Sequence, residues 1–150
     1  MHFIKICFFI VFSLYLVGCS AAYNELADLE YSKPIKFQHY IFNEYKTKAK
    51  YEAEEMHDWN SAKLYSEKAI RSISTDKIYP EKLSKWKLPE ERISEIANAN
   101  ESLMIVYEQA KMFDPQSLAK AIVSLDCWSE QQEENWQTWD INQCREDFLN

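Results

Sequence analysis

Glycine is nearly absent from this sequence. One of 150 residues is glycine, Gly18, and it lies within an apolar leader. Loops that cradle phosphate need glycine so that backbone can approach the anion, and tight hairpins use it for positive φ. A Walker loop, a dinucleotide loop and a Gly-x-Ser-x-Gly elbow are therefore excluded, and a helix-rich build with few hairpins remains. A basic balance is also absent, with 17 Lys and Arg against 24 Asp and Glu. The net charge is −7, and −8 once the leader with its Lys5 is set aside, which leaves no electrostatic footprint for nucleic acid or anionic headgroups. No apolar run reaches the roughly 20 residues that a spanning helix needs. No nucleophile–base pair, metal-ligand set or cofactor loop is visible, so no catalytic, metal or cofactor-binding residue is assigned.

What is present begins at the amino terminus. Met1 to Lys5 is a short basic region, and residues 6–17 (ICFFIVFSLYLV) form an almost wholly apolar stretch of 12. That length fits a secretory signal better than a membrane anchor. Leu16-Val17-Gly18-Cys19 follows, then Ser20-Ala21-Ala22. The four residues in this setting resemble the lipobox of bacterial lipoproteins, in which the cysteine thiol receives diacylglycerol and the chain is cut before it. The resemblance implies a signal peptide over 1–18, lipidation with palmitate-type chains at Cys19, and a mature chain of 150 less 18, or 132, residues. Each buried methylene contributes roughly 0.8 kcal/mol, so two or three acyl chains make attachment effectively permanent. By resemblance to the sorting rule of such lipoproteins, Ser20 after the cysteine, rather than Asp, implies the outer membrane, facing the periplasm. An uncleaved apolar anchor is the alternative.

The mature chain is long enough for a core of its own, and 15% aromatic residues argue against disorder. Residues 19–33 read as a lipidated tether or loosely packed lead-in, and 34–150 as the folded domain. Prolines 34, 80, 89 and 115 punctuate it. Phe37, Ile41, Tyr45, Ala49, Ala53 and Met56 recur at helical spacing to about His57. Asp58 is the expected N-cap of a second helix to about Ser74, with Ala62, Tyr65, Ala69 and Ile73 inward. Residues 75–89 read as a long connection packed by Tyr79 and Trp86. Pro89 opens a third helix to about Phe113, its face Ile93, Ile96, Ala97, Leu103, Met104, Tyr107 and Ala110. Asp114-Pro115 opens a fourth to about Glu134. Asp140 and Gln143 suggest a capping box for a short fifth helix. The expectation is an all-α bundle of four main helices plus a short C-terminal one. Ala49, Trp59, Ala62, Tyr65 and Ala69 resemble the loading of a tetratricopeptide-like hairpin, although only one fair copy is present.

Of four cysteines, Cys7 lies in the leader and Cys19 is the lipidation candidate. Cys127 and Cys144 are an even pair in a chain sent to an oxidising compartment, on consecutive helices, and a disulfide between them is expected. Closing about 18 residues would stabilise by roughly 3 kcal/mol.

The segment Cys127-Trp128-Ser129-Glu130-Gln131-Gln132-Glu133-Glu134-Asn135-Trp136, then Asp140-Ile141 and Cys144-Arg145, resembles one that closes the N-terminal helical domain of bacterial OmpA-family lipoproteins. The resemblance implies a helical envelope lipoprotein. Such proteins usually continue into a peptidoglycan-binding domain, and the expectation here is that none follows, so that activity is not carried over. The lipid anchor then supplies the membrane contact, and an envelope protein is the expected partner, through a structural or adaptor role. The alternative is a peptidoglycan- or glycan-binding module that stacks sugars on Trp128, Trp136 and Trp139 and bonds hydroxyls through Gln131, Gln132 and Asn135. Against it stands a plainer assignment: the tryptophans pack the bundle end, and the Glu/Gln run is a solvated helix face. An adaptor should expose an apolar groove, whereas a glycan binder should expose a tryptophan beside polar side chains.

Overall fold

The computed structural model describes residues 20–34 and 36–150, with helices and connections and no strand among them. Six helices follow in chain order: α1 (20–27), α2 (Phe37–Tyr51), α3 (Trp59–Ser74), α4 (Glu90–Phe113), α5 (Pro115–Glu134) and α6 (Thr138–Leu149). The all-α bundle expected from periodicity is present, with α1 as an addition. The leader and Cys19 lie outside the described residues. No helix among the described residues is long and apolar enough to cross a membrane.

The chain solves its glycine shortage at two helix ends. After α2 a π-helical turn, Glu52–Met56, leads to His57 at φ 57°, and α5 ends on Asn135 at φ 53°. Both sit in the left-handed region where glycine is the usual C-terminal residue. Asparagine tolerates it because its short polar side chain bonds locally, and here Gln132 Nε2 donates to Asn135 Oδ1 at 3.2 Å. Directly after His57, the Asp58 carboxylate accepts from the amides of Asn60 and Ser61 at 2.9 and 3.1 Å and caps α3 as expected. Asp114 caps α5 in the same way through Ser117 N at 3.2 Å, with Pro115 at the first helical position.

α2 and α3 pack side by side with Ala49, Ala62 and Ala69 fully buried, so small side chains bring the backbones close while Tyr45 stacks on Tyr65 at 6.1 Å. α5 lies at the centre, against α2, α4 and α6. Residues 122–132 are buried without interruption, so this helix has no solvated face over three turns. α4 lies outermost and buries fully only Ile96, Leu103 and Tyr107, with Ala99 and Ala110 partly covered beside them, a narrow stripe that leaves Ile93 and Met104 exposed, contrary to the inward face expected for them.

Two other expectations change, and a third is extended. The lead-in is part of the packed body: Leu26 is fully buried in the core, and Tyr23 OH donates to Glu54 at 2.7 Å. The 75–89 connection is packed by Tyr79, whose ring lies 4.8 Å from that of Tyr107, and by the half-buried Trp86, and it has a further anchor in Ile78, which is fully buried. The Ile78 carbonyl accepts from the buried Tyr107 hydroxyl at 2.7 Å. Finally, α6 starts at Thr138 after Gln137, with no side-chain cap. Asp140 is buried inside the first turn, and Gln143 bonds Asp147 at 3.0 Å rather than closing a capping box.

Candidate functional site: the buried face of α5 and the groove beside α6

The polar residues of α5 are the least expected feature of the interior. Asp126 and Glu130 sit one turn apart on the line begun by Leu118 and Ile122, a spacing of four that keeps them on one inward face. Asp126 Oδ2 accepts from Tyr45 OH at 2.7 Å and from Lys68 Nζ, while Oδ1 accepts from the amide of Glu81 at 2.7 Å. Lys68, itself buried on α3, also donates to the carbonyl of Tyr79 at 2.9 Å and pairs with Glu81 at 3.2 Å. The ammonium's three protons therefore meet three acceptors. One ion pair ties α2, α3, the long connection and α5 together. A complete set of partners is what makes a charge pair tolerable away from water.

Glu130 is placed differently. Ser61 OH donates to Oε1 at 2.7 Å, and Gln131 Nε2 and Tyr65 OH reach Oε2 at 3.0 and 3.4 Å. None of these donors carries charge, and burial pushes the Glu130 carboxyl up to about 7, against the lowering from Ser61. Oxygens of Asp58, Glu130 and Glu134 lie within 4.8 Å of one another, a carboxylate cluster that sequence spacing did not reveal. Burial, then the Asp58 charge, also raises Glu134.

A cavity of about 350 Å³ opens where α2, α5 and α6 meet. Cys127 and Cys144 lie at its edge and are joined, with α-carbons 5.7 Å apart, inside the 4.4–6.8 Å that a disulfide requires. Lys48, Tyr51, Trp139, Asp140 and Gln143 also line it.

The six candidate binding residues do not converge. Trp128 is only 2% exposed and packs on Phe148 at 6.1 Å beneath the Arg145 guanidinium at 5.6 Å. Gln131 and Gln132 are buried as well. The Glu/Gln run is therefore no solvated face over 130–132, because α5 is enclosed on every side there. Asn135 is exposed but is occupied with ending the helix. Trp136 is 69% exposed, and its Nε1 donates to Glu134 at 3.2 Å. Trp139 is 57% exposed and lines the groove. Of the candidates, Trp139 is the one beside other polar groups in a concave setting. Asp126, Lys48 and Tyr51 were not singled out from sequence, Asp140 was read as a capping residue, and Glu130 as part of a solvated acidic run. For Asp126 and Glu130 a signal exists, namely acids at i and i+4 continuing an apolar stripe.

Compared with known proteins, the chain matches no family model, no curated protein and no solved structure.

Proposed function

We propose that this chain is a lipid-anchored protein of the bacterial envelope, held through Cys19 to the outer membrane on its periplasmic side, that serves as a helical adaptor for another envelope protein. The lipobox-like Leu16–Cys19 and the likeness of 127–145 to OmpA-family lipoproteins support the location. One observation carries the adaptor role. Ile105, Met112 and Phe113 on α4 are 77%, 74% and 77% exposed, with Val106 and Met104 beside them. Ile105 and Met112 are seven residues apart and share a face. A cluster of large apolar side chains left in water marks a contact surface.

Its position fits that role. Tyr23 of α1 rests edge-on against Trp59 at 6.2 Å, at the turn between α2 and α3. The Met112–Phe113 corner lies at the opposite pole, where Lys111 pairs with Asp76 at 2.7 Å after the end of α3. The 15 residues of α2 put roughly 22 Å between the two poles. A bundle tethered just before Ser20 holds the apolar corner away from its membrane. Photo-crosslinking groups at positions 105 and 112 of the full protein in cells should give one discrete adduct, absent with the group at the exposed Glu67. Equal labelling from all three positions would remove the adaptor reading.

A second reading is favoured by Trp139. Its exposed ring beside Asp140, Gln143 and Lys48 is what a glycan-associated module requires. Co-sedimentation of the full protein with isolated sacculi tests that reading directly.

A further inference from the structure

We infer that the groove between α2, α5 and α6 is a binding site for an uncharged pyranose ring, stacked on Trp139 and hydrogen-bonded by Asp140. This places the glycan reading at one site, and it rests on that reading.

The observation behind it is Asp140. The residue is 3% exposed, yet its Oδ2 has no donor. Oδ1 has only the Cys144 sulfur at 3.7 Å, and a disulfide sulfur carries no proton to give. Buried carboxylates in folded proteins hold partners, because an unmatched one forfeits its hydration without replacement. Asp140 is among the residues that line the cavity while its Oδ2 is closed off in the empty groove, so a turn of the carboxylate toward the groove, met by a ligand hydroxyl, answers the deficit. The cavity's volume lies in the 300–1,000 Å³ range of small-molecule sites.

The charges around the groove select the ligand class. Lys48 bonds Glu52 at 2.8 Å and lies over the Tyr51 ring at 4.8 Å, so that aromatic face is already covered by a cation. Lys120 pairs with Asp147 at 3.5 Å on the rim. A cationic ligand would meet two ammonium groups, and an anionic one would meet Asp140, Glu44 and Asp147. A neutral ring with hydroxyls avoids both conflicts. Its apolar face covers the Trp139 indole, a hydroxyl donates to Asp140, and Gln143 offers both a donor and an acceptor. Carbohydrate is the neutral ligand with a flat apolar face and a polar edge.

Titration calorimetry of the full mature protein with chitotetraose, cellotetraose and maltotetraose tests the site. At least one should bind, and Trp139→Ala and Asp140→Asn should each weaken that binding at least tenfold. Trp136→Ala, outside the groove, should leave it unchanged. Trp139 is mostly exposed, so its variant should melt like the parent, and Gln143→Ala provides a second exposed change should Asp140→Asn unfold. No binding of any of the three at about 10 mM, well above millimolar affinity, or equal binding by parent and Trp139→Ala, overturns the proposal. Sacculi separate this failure from that of the underlying reading. Co-sedimentation that survives Trp139→Ala keeps a glycan-associated protein and removes this site, whereas no co-sedimentation at all removes both.

Discussion

Lys68→Met is the sharpest perturbation of the interior, because the structure states what it leaves behind. Methionine fills much of the lysine's volume, so cavity formation is minor and the change is mainly electrostatic. The Asp126 carboxylate stays buried with Tyr45 OH and the Glu81 amide as its remaining donors, and the carbonyl of Tyr79 loses its partner. Removing one member of a buried pair costs about 3–5 kcal/mol, since the other charge stays uncompensated. Domains of this size are stable by about 5–15 kcal/mol in all, so the variant should lose at least about a fifth of its stability. The midpoint should fall by about 3–6 °C for each kcal/mol. Urea melts of the mature protein followed by circular dichroism at 222 nm give the number. Asp126→Asn and the double variant complete a cycle, and the coupling should be at least about 1.5 kcal/mol. Lys63→Met is the control. Lys63 pairs with Glu67 at 3.8 Å with both side chains largely in solvent, and its loss should cost under about 0.5 kcal/mol. A cost for Lys68→Met no larger than that of Lys63→Met would refute the view that the Asp126–Lys68 pair organises the bundle.

Other predictions concern the same interior. Glu130 titrates near 7 when folded, against an ordinary 4.5. Its folded form favours the proton, so stability should be greatest below pH 4.5 as far as this group is concerned and decline as pH rises to 7, by up to about 3 kcal/mol. Glu130→Gln should flatten that decline, because its amide no longer ionises and can meet the unpartnered Oε1 of Gln131. A pH profile unchanged between parent and variant would count against it. Reducing Cys127–Cys144, or replacing both with serine, should lower stability by about 3 kcal/mol, and intact mass with and without reductant checks the bond. Asn135→Gly should raise the melting midpoint slightly, by up to about 1 kcal/mol of stability, because glycine takes φ 53° without a steric penalty; a drop would mean that the Gln132–Asn135 bond matters more.

The sequence revealed helices well and interior polarity poorly. Asp58, Asp114 and the prolines marked starts that the fold uses, because caps act through neighbouring backbone amides and need no tertiary information. The Phe37–Ala49 and Ala62–Ala69 stripes were equally legible, since burial of one face repeats at helical spacing. Periodicity failed where enclosure replaced amphipathicity. Once α2, α4 and α6 surround α5, polar residues at 130–132 lie inside like apolar ones, and an acidic Glu/Gln run looks the same in sequence whether solvated or buried. The start of α6 was misplaced for a related reason. Asp140 has the chemistry of a cap but stands buried in the first turn, and only the packing of α6 on α5 reveals that. The exposed α4 face was misread in the opposite sense. Ile93 and Met104 fit an inward stripe by spacing, but an outermost helix buries a narrower strip than its apolar content suggests.

Attachment through Cys19 underlies the proposed location, and labelling tests it most directly. Cells expressing the full chain are fed an alkyne-bearing palmitate analogue, and the protein is recovered from separated membranes for mass analysis of its amino-terminal peptide. The expected result is a chain that begins at an acylated Cys19, carries label, and leaves the membrane fraction when Cys19→Ala is introduced. An unlabelled chain that retains residues 1–18, or a Cys19→Ala variant that stays membrane-bound to the same extent, would contradict lipid anchoring.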